Sequence, residues 1–257
     1  MKTRFTILGS GSSLGIPRID GYFGKCNPKI KQNYRSRCSA LVTHGNLNIL
    51  IDTSPDLKTQ LLNNKIKNID KVFYTHFHGD QTHGINELRG FYIKNAKRIN
   101  VYADKITSKY LLQTFGYCFK NNYGYPAIFN LNKLCKTHTF TSDNNFITIK
   151  SLIVKHGNIN SLLYKINDVC AYASDVSKIY EKDYKKLKNL KFFVVDCLRL
   201  NPHPSHFNLD DVLKLVKAIK PQKTILTNMH NEIDYIEIKK YIPKSVVPAY
   251  DGMSFFI

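Results

Sequence analysis

The stretch FYTHFHGDQTHGI, residues 73–85, places His76, His78, Asp80 and His83 within eight positions of a chain that has nine histidines. Neutral imidazole and carboxylate are the side chains that hold zinc, manganese or iron. Positions i, i+2 and i+4 on extended or loop backbone face one side, so His76, His78 and Asp80 can converge. The chemistry this suggests is hydrolysis by a metal-bound hydroxide, which a divalent ion makes available near neutral pH. One short motif does not complete a two-metal cage, so further ligands must come from elsewhere.

Candidates stand where apolar runs give way to loops. SLIVKH ends in His156, VCAYASD in Asp175 and KTILTNMH in His230. PHPSH carries His203 and His206 on a loop ahead of a helix. His44 and His138 fit turn or surface positions. Asp52, in LIDTS, reads as a strand-end turn former. The GSGSS run at residues 9–13 is either a tight turn or a set of N–H groups able to meet a phosphate.

Those residues must be positioned by strands and helices. Apolar alternation predicts strands in RFTILGSG, SALVTHG, LNILIDTS, IDKVFYTH, INVYA, NFITIKSLIVKHG, SLLYKIN, VCAYASD, KFFVVDCL and KTILTNMH. Helices are predicted in PDLKTQLLNNKI, within THGINELRGFYIKNA, in TSKYLLQTFGYCF and in NLDDVLKLVKAIK, whose apolar residues recur at helical spacing. Strands in runs, with helices between and after them, favour an α/β fold of two sheets covered by helices. Residues 117–135, rich in Asn, Tyr and Gly, read as an inserted loop, and KDYKKLKNLK (182–191) as a solvated helix. No repeat or linker interrupts the chain, so residues 1–257 read as a single domain.

Thirty-eight Lys and Arg against 19 Asp and Glu give a charge of +19. The basic residues are dispersed, which fits a solvated surface better than a nucleic-acid track. No apolar run approaches the roughly 18 residues of a membrane span. The N-terminal apolar run is too short for a signal peptide, so a cytoplasmic address is expected. Six scattered cysteines without a CxxC point to neither a disulfide framework nor a zinc knuckle.

HxHxD after a strand, followed by a distal His, Asp and His at strand ends, resembles the metallo-β-lactamase superfamily. ILGSGSSLGIPR, NYRSRCSALV, ILIDTSPDL, HGINELR, ASDVS, PHPSH and LTNMHNEIDY are similar to its phosphoribosyl 1,2-cyclic phosphate phosphodiesterase branch and, more distantly, to ribonuclease Z. The resemblance implies a four-layer αββα sandwich of two mixed sheets flanked by helices. It also implies two divalent ions, Zn or Mn. His76, His78 and His156 would hold the first, Asp175 would bridge, and Asp80 and His230 would hold the second. Asp80 would orient the nucleophile, His206 would serve as general acid or phosphate contact, and Asp52 would brace the site.

Three departures accompany the match. The family pattern is usually HxHxDH, and its last position here is Gln81, with His83 two residues beyond. Many relatives have their final His directly after the Thr, where this chain has Asn228, leaving His230 as the nearest substitute. The first loop offers only Cys26, so a cysteine-rich structural zinc site is not expected.

The implied function is a phosphodiesterase acting on a small or cyclic phosphate diester. A ribonuclease Z type nuclease and a non-catalytic metal-bound nucleic-acid binder are the alternatives, and thioester hydrolysis is not excluded by the ligands. A small phosphate-containing substrate is the expected partner, with RNA and a homo-oligomer left open and no membrane.

Overall fold

The computed structural model describes residues 2–121 and 124–257, and in it two seven-stranded sheets face each other. The first sheet is laid down in chain order as β1 (Thr3–Gly9), β2 (Ser39–His44), β3 (Leu47–Ile51), β4 (Lys71–Phe73), β5 (Ile99–Ala103) and β6 (Phe129–Lys133). The second follows as β7 (Thr137–Ser142), β8 (Asn145–His156), β9 (Ile159–Ile166), β10 (Cys170–Ala173), β11 (Phe192–Asp196), β12 (Lys223–Thr227) and β13 (Val246–Pro248). The last strand, β14 (Ser254–Phe256), returns to pair with β1 in the first sheet.

Side-chain alternation sorts these strands into layers. In β3, Ile49 and Ile51 enter the core between the sheets, while Leu50 points the other way. Leu50 there meets Leu57 and Leu61 of α1 (Leu57–Asn63), with Ile85 and Leu88 in the same cluster. Short helices α2 (Gly79–Thr82), α3 (Arg89–Asn95), α4 (Lys105–Thr114) and α5 (Gly116–Phe119) follow in the chain, and Leu111 and Cys118 join that outer layer. After α6 (Glu181–Tyr184), helix α7 (Leu209–Ile219) buries Val212, Leu215 and Ile219. These belong to the same core as the strands of the second sheet. Helix, sheet, sheet, helix is the expected αββα order. Parallel strands β10 and β11 are buried on both faces, hence their unbroken apolar sequences CAYA and FFVV.

Strand direction gathers the loops that matter onto one rim of each sheet. β3, β4, β5 and β6 are parallel, as are β10, β11, β12 and β13. β8 is antiparallel to β9, which is antiparallel to β10, so β8 runs with the parallel set. The carboxyl ends of β8, β10, β11 and β12 therefore share one edge, where ligands usually bind in such sheets.

Some expected elements differ. Residues 117–135, read as an inserted loop, include the end of α5 and all of β6, which pairs with β5; of that segment, residues 122 and 123 lie outside the described residues. FNLNK is a short edge strand with only two apolar residues, Phe129 and Leu131, set in an Asn-rich segment that reads as a loop. KDYKKLKNLK, read as a helix, contains only the end of α6 and a 3-10 turn at Lys185–Leu187. Strands β7, β13 and β14 were not expected: β7 is polar at every position but Phe140, and the other two have three residues each. No helix among the described residues is long and apolar enough to cross a membrane.

Gly84 clamps the histidine loop to the end of β3. Its N–H donates to Thr53 O at 2.8 Å, and a Cβ on it would stand 1.9 Å from Ser54 O. Gly84→Ala must push the two backbones apart. Overpacking of this kind costs about 1–3 kcal/mol. A drop in thermal midpoint together with weaker metal retention is the expected result; unchanged stability would mean the loop yields freely.

Candidate metal centre

The site begins with Asp52. It follows β3 in the left-handed region (φ 62°), which aspartate visits more readily than most residues. Its buried carboxylate accepts the Thr75 N–H at 2.7 Å and the Thr75 hydroxyl at 2.8 Å. Burial pushes this carboxyl well up, and the two Thr75 donors work against that shift. Thr75 Oγ1 lies 3.0 Å from His76 Nδ1. With the hydroxyl proton given to Asp52, the ring N–H donates to Thr75 and leaves Nε2 with a lone pair. That Nε2 is buried and has no partner. A buried acceptor left unpaired costs about 1–3 kcal/mol unless something occupies it.

His156 presents its ring the same way. Its Nδ1–H donates to Ser205 O at 2.7 Å, so Nε2 is the free acceptor. It stands 3.3 Å from His78 Nδ1. Two nitrogens each about 2.0–2.1 Å from a tetrahedral zinc are separated by about 3.3 Å, so the spacing fits a shared ion. Ring centroids lie 4.5 Å apart for His76 and His78, 5.0 Å for His76 and His156, and 5.1 Å for His78 and His156. Burial lowers all three imidazoles, His76 to about 3, which keeps them in the neutral form that binds metal. His76 and His156 thus have the tautomers, the three rings the spacing, and His76 the orphaned atom that a divalent ion fits.

A second group shares His156 and adds Asp175 and His206, with ligand atoms within 4.8 Å of one another. His206 Nδ1 lies 2.7 Å from Asp196 Oδ2. Burial alone would lower His206, but the Asp196 carboxylate outweighs it and raises the ring to about 9. Burial lifts Asp196 in turn to about 7, with His206 pulling it back. Asp80, on α2, is raised to about 6, first by burial and then by the nearby Asp175 carboxylate. Asp196 escaped the sequence reading, although it ends the apolar run FFVV much as Asp175 follows CAYA. Its backbone tie is firm: Val176 N–H donates to Asp196 Oδ2 at 3.0 Å.

The structure brings His76, His78, His156, Asp175 and His206 together, with Asp80 beside them. His230 is not among them. Its Nδ1 lies 3.5 Å from Glu232 Oε1, and the other charges acting on it are Arg199 and Arg18. The residue directly after β12 is Asn228, in the left-handed region at φ 58°, and its amide reaches Asp175. Two residues later the chain has turned, and His230 N–H donates to Leu198 O at 2.8 Å. Register therefore favours Asn228 over His230 at the centre.

Other candidates are spent on neighbours. His83 Nε2 lies 2.9 Å from Tyr110 Oη. His44, expected at a turn or surface, is buried at the end of β2 with Nδ1 2.8 Å from Thr3 Oγ1. His138 packs against Tyr102 within β7. In the GSGSS run, the N–H groups of Ser10, Gly11 and Ser12 go to Asp251, Ser36 and Met229, so these three have no N–H left for a phosphate.

Comparison with known proteins places the fold in a family. Residues 47–229 match the β-lactamase superfamily domain. A diphosphatase of the PhnP family is 27% identical, with a TM-score of 0.90 over 100% of this chain and 98% of that one. The short form of human tRNase Z is 16% identical, with a TM-score of 0.70 over 98% of each chain. Among curated proteins, an octanoyltransferase of Porphyromonas gingivalis is 29% identical over 261 residues, covering 99% of this chain and 51% of that protein. The chain thus spans about half the length of this relative.

Proposed function

The chain belongs to the metallo-β-lactamase superfamily and has its hydrolase fold, and we propose that it is a single-domain, metal-dependent phosphoesterase for a small molecule with a doubly substituted phosphate, a diester or a diphosphate. The observation that carries this reading is the convergence of His76 Nε2, His78 Nδ1 and His156 Nε2, with His76 Nε2 buried and unpartnered. The full-length likeness to a PhnP-family diphosphatase supports the substrate class. The octanoyltransferase likeness does not, because that name belongs to a protein about twice as long.

A bound divalent ion supplies Lewis acidity and a nucleophilic water at neutral pH. This chain's own residues do the rest. Asp80, with its carboxyl raised by burial, orients the attacking water and takes up its proton. His206 holds a proton steadied by Asp196 and gives it to the leaving oxygen. The Asp52–Thr75 pair fixes the His76 ring, so little reorganisation is left for the reaction step.

The test is turnover across a panel of cyclic phosphates, dinucleotides, diphosphates and tRNA, with zinc- or manganese-loaded protein at low and physiological salt. Small substrates are expected to react, with kcat/KM falling modestly as salt rises. A nuclease gripping six or so phosphates would lose about 10³ or more in affinity over that range. Salt-sensitive tRNA cleavage without small-molecule turnover would replace the proposal with the nuclease reading.

A further inference from the structure

Two carboxamides stand where the family pattern has metal-binding histidines. Gln81 occupies the last position of HxHxDH, and Asn228 the position directly after Thr227. They come from different sheets, one in α2 after β4 and the other after β12, yet both reach the same carboxylate. Gln81 Nε2 donates to Asp175 Oδ2 and to Asp80 Oδ2, each at 3.2 Å. Asn228 Nδ2 donates to Asp175 Oδ1 at 3.3 Å and to Asp196 Oδ1 at 3.2 Å. Both amides are buried, at 0% and 1% exposure.

Asp175 is the residue that would bridge two ions, and Asp80 the one that would hold the second. In this chain both oxygens of Asp175 and one of Asp80 already accept amide N–H groups. An amide N–H offers a carboxylate the partial positive charge that a cation would otherwise supply, and it fills the space in front of the oxygen. A neutral carboxamide is also a poor replacement for imidazole toward a zinc-like ion. His230, the remaining substitute, faces Glu232 and Arg199.

We propose that the centre holds one ion, at His76, His78 and His156, and that Gln81 and Asn228 take the place of a second ion by hydrogen bonding to Asp80 and Asp175. The inference rests on the metal-centre reading above and adds the stoichiometry. It makes this site mononuclear in a fold whose resemblance implies two metals. The two substitutions act as a pair, because each amide donates to a different oxygen of Asp175.

Cobalt(II) titration of the chelator-stripped protein, followed by its visible absorption and by elemental analysis after gel filtration, tests the proposal. The wild type should reach its endpoint at one equivalent. The double variant Gln81→His/Asn228→His should reach two, since it restores imidazole at both positions. Two retained ions in the wild type would overturn the one-ion centre while leaving the metal-dependent reading standing. No retained ion would overturn both. A folded double variant that stops at one equivalent would show that the amides are not what excludes the second ion. If the double variant does not fold, the wild-type endpoint decides alone.

Discussion

His76→Ala is expected to reduce phosphoester turnover by about 10³ or more while leaving a folded protein. The magnitude follows from the several kcal/mol that a bound ion contributes to such reactions, at a factor of ten for each 1.36 kcal/mol. Folding survives for a physical reason. The His76 ring is buried at the sheet rim, and its Nε2 satisfies nothing in the metal-free protein. Removing it leaves a cavity but also removes an orphaned polar atom, and the two effects oppose each other. The clearest readout is therefore linkage: metal should raise the thermal midpoint of the wild type, because it binds only the folded state, and should not raise that of the variant. A variant that keeps turnover, or is still stabilised by metal, would mean that the ion sits elsewhere.

Asp52→Asn should have the next largest effect, without touching metal or substrate. Asparagine accepts the left-handed φ of 62° as readily as aspartate does, so the backbone is spared. Its amide still accepts one Thr75 donor but sets an NH₂ against the other. That loosens the Thr75 hydroxyl and, through it, the His76 ring. Loss of such an outer partner typically weakens metal affinity by about 10- to 100-fold. An unpaired buried donor adds about 1–3 kcal/mol of destabilisation. Competition against a fluorescent chelator measures the affinity. A loss of stability with unchanged affinity would make Asp52 a turn former and nothing more.

Much of this molecule could be read from its residues, and the parts that could not share a cause. His76, His78 and Asp80 lie on one short loop, so their convergence is a local property of HFHGD. His156 and Asp175 were legible because each closes or follows an apolar strand, and parallel strands bring such ends to a common edge. The choice between Asn228 and His230 was not local. It depends on the left-handed turn at Asn228, which aims one side chain at Asp175 and carries the next residues toward Leu198. His206 was placed near substrate, but its proximity to Asp175 and His156 depends on how the PHPSH loop is held. Phe207 N–H donates to Val176 O at 2.7 Å, and Asn208 caps α7 through Asp211. The cap is local, but the tie to Val176 joins loops that are distant in sequence. The missed strands, β7 with its almost wholly polar sequence and the three-residue β13 and β14, are stabilised by neighbours rather than by their own pattern.

The measurement that bears most directly on the central claim is metal-dependent turnover of a small phosphodiester by stripped and reconstituted protein, with His156→Ala run alongside. The stripped wild type should be inactive and should recover on addition of zinc or manganese, whereas His156→Ala should stay inactive at every metal concentration that saturates the wild type. Undiminished hydrolysis by the stripped protein, or full recovery by His156→Ala, would contradict the account.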